Sequence, residues 1–463
     1  SDSLAQLIGL GIVFLLLLAL WHYSSKKVEV SYAWLTPLIF FSTPTFFSLA
    51  SSAYVELQAA TYIFLGFYCW ENGCKRKQAS WFILMTLFAG AAVTTKLTSI
   101  IILPLALIGL TIHGRSHKNV NQTAIQCLTL ALGALLIISP WLVRNYFFTG
   151  NPLAPFFMNI FGGESGMNWD VTRSQMQLKY YSSFGMGHGI LNFLSLPINL
   201  TFFSELNSLK FDGKIGILYL LLLPALLGLD RKNLPAIIVF SVLLVFWFLQ
   251  MQSIRLLAPA LAFLSFLMIS GLEQVFIKYR SGKIEKFFLT AILALGILLN
   301  TSAIIKEWFH VNPLSFLLKK ETREQFLTRQ IKAYPSYDDA NKFLTEKDKV
   351  LMVYMKNLGY LMNRPFLSDT FFESHTLSEI IDKGVYAADI INRLKARGIT
   401  HILFDFNYVF GKDSKLTIGE RAILKNFLIK HGEQLSSKNG FLLYRFMLDS
   451  KTEKQKELIP LNH

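Results

Sequence analysis

Charge is scarce in this sequence. Of its 463 residues, 16% are charged and 52% hydrophobic, whereas soluble domains carry roughly a quarter charged residues. Cysteine is scarcer still. Cys69, Cys74 and Cys127 form no CxxC pair, and the last third of the chain has none, so neither a disulfide framework nor a thiolate metal site is implied. No HExxH spacing, acidic pair or nucleic-acid recognition motif is present either. These absences exclude an ordinary cytosolic enzyme, a disulfide-stapled secreted domain and a disordered tail. The net charge of +15 is scattered along the chain rather than gathered in one stripe. That distribution fits membrane topology and anionic lipid, not nucleic acid.

What is present is a series of apolar runs, many near the ~20 residues needed to cross a bilayer. Ten can be drawn, at about 4–22, 33–50, 54–70, 79–95, 97–112, 123–142, 214–229, 234–251, 256–275 and 287–305. The fourth and fifth could form a hairpin of two short helices. Lys and Arg content sets their orientation. Alternate loops hold Lys26 and Lys27, then Lys75, Arg76 and Lys77, then Arg115 and Lys118, then Arg231 and Lys232, and last Lys278, Arg280, Lys283 and Lys286. These five loops are expected to be cytoplasmic. The loop at about 143–213 and the region after about 306 then lie outside the cytoplasm, together with Ser1. An upstream helix missing from this chain would account for that placement of Ser1 and for its not being methionine.

The expected architecture is an all-α polytopic membrane domain of about ten transmembrane helices, followed by a small extracytoplasmic α/β domain. The membrane part covers 1–305, a linker 306–329, the soluble part 330–447 and a polar tail 448–463. Within the soluble part, Lys349–Tyr354 and Thr400–Phe406 are short β-rich runs suited to buried strands. Leu377–Arg397 is helical in pattern and stops at Gly398. Ile418–His431 is a second amphipathic helix and Gly440–Phe446 a last strand. No glycine-rich phosphate loop follows either early strand, so a lid or packing role is favoured over nucleotide binding.

Ionisable residues within or beside membrane helices are costly and are therefore candidates for function. Glu56 begins the third segment, after Tyr54 and Val55, and reads either as a carboxylate reaching interfacial water or as a general base. Lys96, between Thr95 and Leu97, either snorkels or meets an anionic head group. Arg255, in Gln252-Ser253-Ile254-Arg255-Leu256-Leu257-Ala258-Pro259, carries a planar fork suited to phosphate oxygens. Arg144 follows Pro140-Trp141 and precedes a turn-rich stretch containing Asn151, Pro152 and Pro155. Lys96, Arg144 and Arg255 place three cations on one membrane face with Glu56, a set that suits a lipid phosphate beside a proton acceptor. The long loop adds Glu164, Asp170, Arg173, His188 and Glu205. His188 is a candidate acceptor contact or metal ligand, although a lone loop histidine is more often neither. No cofactor is required by these residues, and nothing supports a divalent metal.

These segments resemble the GT-C glycosyltransferases that use polyprenyl-phosphate sugars, such as the protein mannosyltransferases and the aminoarabinose transferases. The likeness lies in the Tyr54-Val55-Glu56 helix start and in Thr94-Thr95-Lys96 followed by Ile100-Ile101-Ile102-Leu103-Pro104. It continues in Arg144-Asn145-Tyr146 with Gly150-Asn151-Pro152 and Pro155-Phe156, and in the Arg255-to-Pro259 helix start. It spans roughly 1–302, and an α/β tail is typical of many such enzymes.

The resemblance implies inverting transfer of a sugar from a polyprenyl-phosphate carrier to a glycan, lipid or protein acceptor on the extracytoplasmic face. Glu56 stands where relatives often have Asp, and Lys96 and Arg255 match positions near the carrier phosphate. Tyr54, Asn151, Asp170 and His188 are candidates for the acceptor side. The family's principal acidic motif lies in a first extracytoplasmic loop that this chain does not contain, so the resemblance places that loop upstream of Ser1. Alternative readings are a transporter or flippase of a lipid-linked or anionic solute, a glycan polymerase or ligase using a lipid-diphosphate donor, and a non-catalytic assembly subunit. The absence of a clear repeat speaks against transport.

Overall fold

The computed structural model describes residues 2–116, 120–162, 171–278, 282–356, 358–368, 374–381, 386–412 and 414–447. It divides into two units, Ser1–Trp308 and Phe309–His463. Asp170 and Glu164 lie outside the described residues, as does the polar tail.

The first unit is helical. Its main elements are α1 (Asp2–Ser25), α2 (Glu56–Arg76), α3 (Ala79–Thr95), α4 (Ile102–Ser116), α5 (Val120–Thr149), α6 (Leu234–Phe248), α7 (Ala258–Lys278) and α8 (Lys283–Val311). Among the described residues, six helices are long and apolar enough to cross a membrane, or seven if the pair Val30–Phe41 and Pro44–Ala50, bent by 79°, is one span. The protein is a multi-pass membrane protein.

The ten expected runs do not become ten such helices, for local reasons. The run 33–50 is broken into short pieces at Trp34 and again before Pro44. The run 214–229 becomes a five-residue α-helix and a 3-10 helix that starts at the Leu223-Pro224 step. Helix α2 is long enough, but its last turns carry Glu71, Lys75 and Arg76. Helix α3 is apolar but has only 17 residues.

Helix α7 is central: 83% of its apolar window is buried, against 17–33% for the other spans. Its Phe263 and Phe266 interlock with Tyr23 of α1 and Phe64 and Phe67 of α2, with ring centroids 4.8–5.3 Å apart for Tyr23–Phe266, Phe67–Phe263 and Phe64–Phe263. Lipid tails are as apolar as these side chains, so close packing rather than water exclusion holds such helices together. Small residues serve the same end between α3 and α5. A Cβ at Gly90 would lie 2.8 Å from Ile137, and one at Gly133 only 2.6 Å from Thr86.

At one end of α1 and α2, Glu71 collects three partners. Lys27 donates to its Oε1 at 2.8 Å, Lys75 to Oε2 at 3.3 Å, and the Tyr23 hydroxyl to Oε1 at 3.4 Å. A buried carboxylate is tolerable only with such company.

The second unit is built on a five-stranded sheet in the order β2-β1-β3-β5-β4. The strands are β1 (Val350–Val353), β2 (Phe366–Ser368), β3 (His401–Asp405), β4 (Gly432–Lys438) and β5 (Phe441–Phe446). β1 pairs in parallel with β2 and β3, while β5 is antiparallel to β3 and β4. Among the described residues, helices α9 (Tyr334–Phe343), α10 (His375–Ile381), α11 (Ala387–Ala396) and α12 (Ile418–His431) surround it, with a short helix at Phe406–Phe410.

Alternate residues of the central strands face two cores. Leu351, Val353, Ile402 and Phe404 pack with residues of α10, α11 and α12, while Val350, Met352 and Leu403 pack with Ala340 and Tyr337 of α9. Burial on both faces is what makes β1 and β3 continuous apolar runs. Gly398 ends the α11 segment with φ +65°, where a side chain would be strained. Thr417 and Glu420 form a capping box at the start of α12. The stretch expected to be a linker is partly helical, at Pro313–Leu317 and Arg323–Gln330.

Candidate active site

Three chain segments bring their polar ends together in the first unit. Glu56 is the first residue of α2, where the helix dipole favours a negative charge. Lys96 sits in extended conformation in the break between α3 and the 3-10 turn Leu97–Ile101. Arg255 lies in a second 3-10 turn, Ile254–Leu257, that leads into α7. Lys96 Nζ donates to Glu56 Oε1 at 2.9 Å, and Arg255 Nη1 lies 3.8 Å from the same oxygen. The Arg255 guanidinium rests over the Tyr54 ring, 4.9 Å from its centroid. Glu56 is buried at 5% exposure, and its Oε2, like Arg255 Nε, is enclosed without a hydrogen-bond partner.

These residues line a cavity of about 50 Å³, with Glu56, Lys96, Ser99, Trp247, Gln250 and Arg255 among its walls. A second, larger space of about 360 Å³ is walled by aliphatic residues of α3, α4 and α5, among them Leu103, Leu107, Leu130 and Leu135. The 3-10 turn divides the two. Thr98, Ser99 and Ile101 face the first space, and Leu97 and Ile100 the second.

Sequence reasoning missed one member of the cluster. Asp212 Oδ2 accepts from Arg255 Nη2 at 2.9 Å. Its signal was weak because Phe211-Asp212-Gly213 reads as an ordinary turn.

Other candidates lie apart from the cavity walls. Arg144 is not beyond the end of a helix but within the last turns of α5, exposed and stacked on Trp141 and Phe148 at 5.1 and 5.5 Å. It does not line the cavity with Lys96 and Arg255. Asn151 is fully buried and ties its own loop, donating to the Phe156 carbonyl at 2.9 Å and accepting from Leu153 N at 2.9 Å. His188 Nδ1 is 2.7 Å from the Phe248 carbonyl and 3.1 Å from Gln252 Nε2. It therefore braces the loop that carries Arg255. Among the described residues, no three His, Cys, Asp or Glu side chains converge as a metal site would need.

The sequence profile described as Domain of unknown function (DUF8201) matches residues 1–264. The chain belongs to the DUF8201 family. No curated protein sequence matches this family member. Solved structures resemble it in fold. The crystal structure of ArnT from Cupriavidus metallidurans bound to undecaprenyl phosphate aligns with TM-score 0.53 at 13% identity, covering 96% of this chain and 82% of that one. The apo structure of the same protein gives 0.51 at 12% identity with the same coverage. The DUF8201 member thus shares the fold of these ArnT structures over nearly all of its length.

Proposed function

We propose that this protein transfers a sugar from a polyprenyl-phosphate carrier to an acceptor outside the cytoplasm, with inversion at the anomeric carbon. One observation carries the reading. A small cavity with two cations and a carboxylate adjoins a large apolar space, and one short turn separates them. That pairing matches a ligand with a charged head and a long hydrocarbon chain. Undecaprenyl phosphate, the ligand of the ArnT crystal structure, has this form.

In this mechanism Lys96 and Arg255 hold the carrier phosphate. The acceptor hydroxyl oxygen attacks the anomeric carbon, and the bond from that carbon to the phosphate oxygen breaks. The bonding pair stays on the phosphate, which already bears charge and so needs cations rather than an acid. Preorganised Lys and Arg in a poorly hydrated site stabilise that charge as it develops. Glu56, through its unpartnered Oε2, receives the acceptor proton, a role typically worth about 10²–10⁴-fold. The loop at 143–213 and the sheet unit lie on the acceptor side, as the lysine and arginine distribution of the loops implies.

The test uses the full chain in lipid nanodiscs, titrated with undecaprenyl phosphate. Wild type is expected to bind and Arg255→Ala to bind measurably more weakly. Equal affinity in the two proteins would remove the phosphate assignment. A parallel assay with polyprenyl-phosphate sugars in membranes follows their consumption. Solute movement across the bilayer that persists in Glu56→Gln, with no donor consumed, would favour transport instead.

A further inference from the structure

Arg255 is held from several directions before any ligand arrives. Nη2 donates to Asp212 at 2.9 Å, Nη1 lies 3.8 Å from Glu56, and the Tyr54 ring covers one face of the guanidinium. Nε alone is enclosed without a partner. Glu56 lines the cavity, and Asp212 does not.

The loop that delivers Asp212 is built to hold it there. Phe211 and Asp212 both adopt left-handed backbone, with φ of +66° and +40°, a conformation that persists only where its surroundings enforce it. They do so on both sides. Phe211 is fully buried and stacks on Trp247 at 6.4 Å, and its carbonyl accepts from Ile254 N at 2.7 Å. On the other flank, Thr45 Oγ1 donates to the Lys214 carbonyl at 3.0 Å and accepts from Lys214 N at 2.7 Å. Gly213 leaves no room for a Cβ, which would meet Thr45 Oγ1 at 2.7 Å. The strained pair is thus tied to the residue before Arg255 and to a separate helix.

We propose that Asp212 is the positioning residue of Arg255. It fixes the guanidinium plane against Tyr54 so that the remaining N–H groups are already oriented toward the anion-binding cavity. This rests on the transferase reading for its ligand, a polyprenyl phosphate, but the ion pair itself can be tested without one. A guanidinium with one terminal nitrogen bonded to Asp212 and the other 3.8 Å from Glu56 loses little freedom on meeting a phosphate, and preorganisation of this kind raises affinity.

The experiment takes the full chain in nanodiscs as wild type, Asp212→Asn, Asp212→Gly, Arg255→Ala and the Asp212→Asn/Arg255→Ala double variant. Asn and Gly both suit a left-handed backbone, so the two Asp212 variants should keep the loop, and thermal midpoints check this. Undecaprenyl phosphate affinity is expected to fall in both Asp212 variants by several-fold to about a hundredfold, the range of coupling within one ion-pair network. The double variant should bind no worse than Arg255→Ala alone. With a turnover assay, donor KM should rise while kcat stays nearly constant. Unchanged or tighter binding in Asp212→Asn, or additive losses in the double variant, would overturn the proposal.

Ligand-free labelling of Arg255 with phenylglyoxal, read by mass spectrometry, decides the case separately. The Asp212 variants should label faster than wild type, and equal rates refute the positioning role. Failure of wild type to bind undecaprenyl phosphate, with faster labelling in the variants, would instead reject the transferase reading and leave the positioning pair standing.

Discussion

Lys96 and Glu56 form an ion pair at 2.9 Å across 40 residues of sequence, joining the break after α3 to the first residue of α2. The two groups have different parts in the proposed reaction, and substitution should separate them. Glu56→Gln keeps the cations and should retain undecaprenyl phosphate binding while turnover falls about 10²–10⁴-fold. Lys96→Met should weaken that binding about tenfold or more, the worth of one hydrogen bond to a charged group. Ligand titration and donor consumption on the same preparations check both outcomes.

The Glu71 cluster predicts a stability pattern. Lys27→Met leaves Glu71 with a weaker set of partners in a site where both side chains are largely buried, 14% and 10% exposed. The loss should be about 3 kcal/mol, as for other broken buried pairs. Removing the charge from both, in Lys27→Met/Glu71→Gln, should cost less than Lys27→Met alone. Thermal midpoints of the three proteins in one detergent decide this.

His401 gives the sheet unit a dependence on pH. Burial holds its imidazole below the ordinary histidine range, against the opposing pull of Asp348, 3.7 Å away; the Arg445 charge also lowers it, and Glu433 raises it. The unfolded chain therefore takes up a proton that the folded one resists, so stability falls as pH drops from about 6.5 toward the depressed folded value. Asp348 is itself held below the usual carboxylate range, chiefly by hydrogen bonds from Thr345 that outweigh its desolvation. Its contribution is lost only at lower pH, as the pH falls through that depressed value. Hydrogen exchange at β1 and β3 in the full chain, corrected for intrinsic rates, should show less protection at pH 5.5 than at pH 7.5. His401→Gln should flatten the difference.

Orientation can be tested by single cysteines. Lys210→Cys, in the loop expected outside, should react with a membrane-impermeant thiol reagent on intact cells. Lys26→Cys, in a loop expected inside, should react only after permeabilisation. The reverse pattern would invert the whole arrangement.

Glu56, Lys96 and Arg255 were legible because each is an ionisable group set among apolar neighbours, where chance rarely leaves one. Asp212 was not, since an Asp-Gly pair in a polar loop is the ordinary composition of a turn, and only tertiary contact gives it Arg255. The local setting of Arg144 was misread for the converse reason. Its place near Pro140 suggested a helix exit, but α5 continues through Pro140 to Thr149. In the second unit, β1, β3 and β5 were legible as apolar runs. The strand Gly432–Lys438 was not, because its GEQLSSK sequence is mostly exposed and owes its shape to pairing with β5. Some of the ten runs form shorter or broken helices, at a proline, a polar helix end or a helix of only 17 residues, since composition averages across a break that the backbone obeys.

The turn Leu97–Ile101 has a wider consequence for a donor bound as proposed. Because it parts the cation cavity from the aliphatic space within five residues, it acts as a depth gauge. The height of the sugar–phosphate linkage is then set by protein geometry rather than by bilayer thickness. Such an enzyme should present its sugar at one fixed level in thin and thick membranes alike, with the surplus of the carrier chain left to bend into the surrounding lipid.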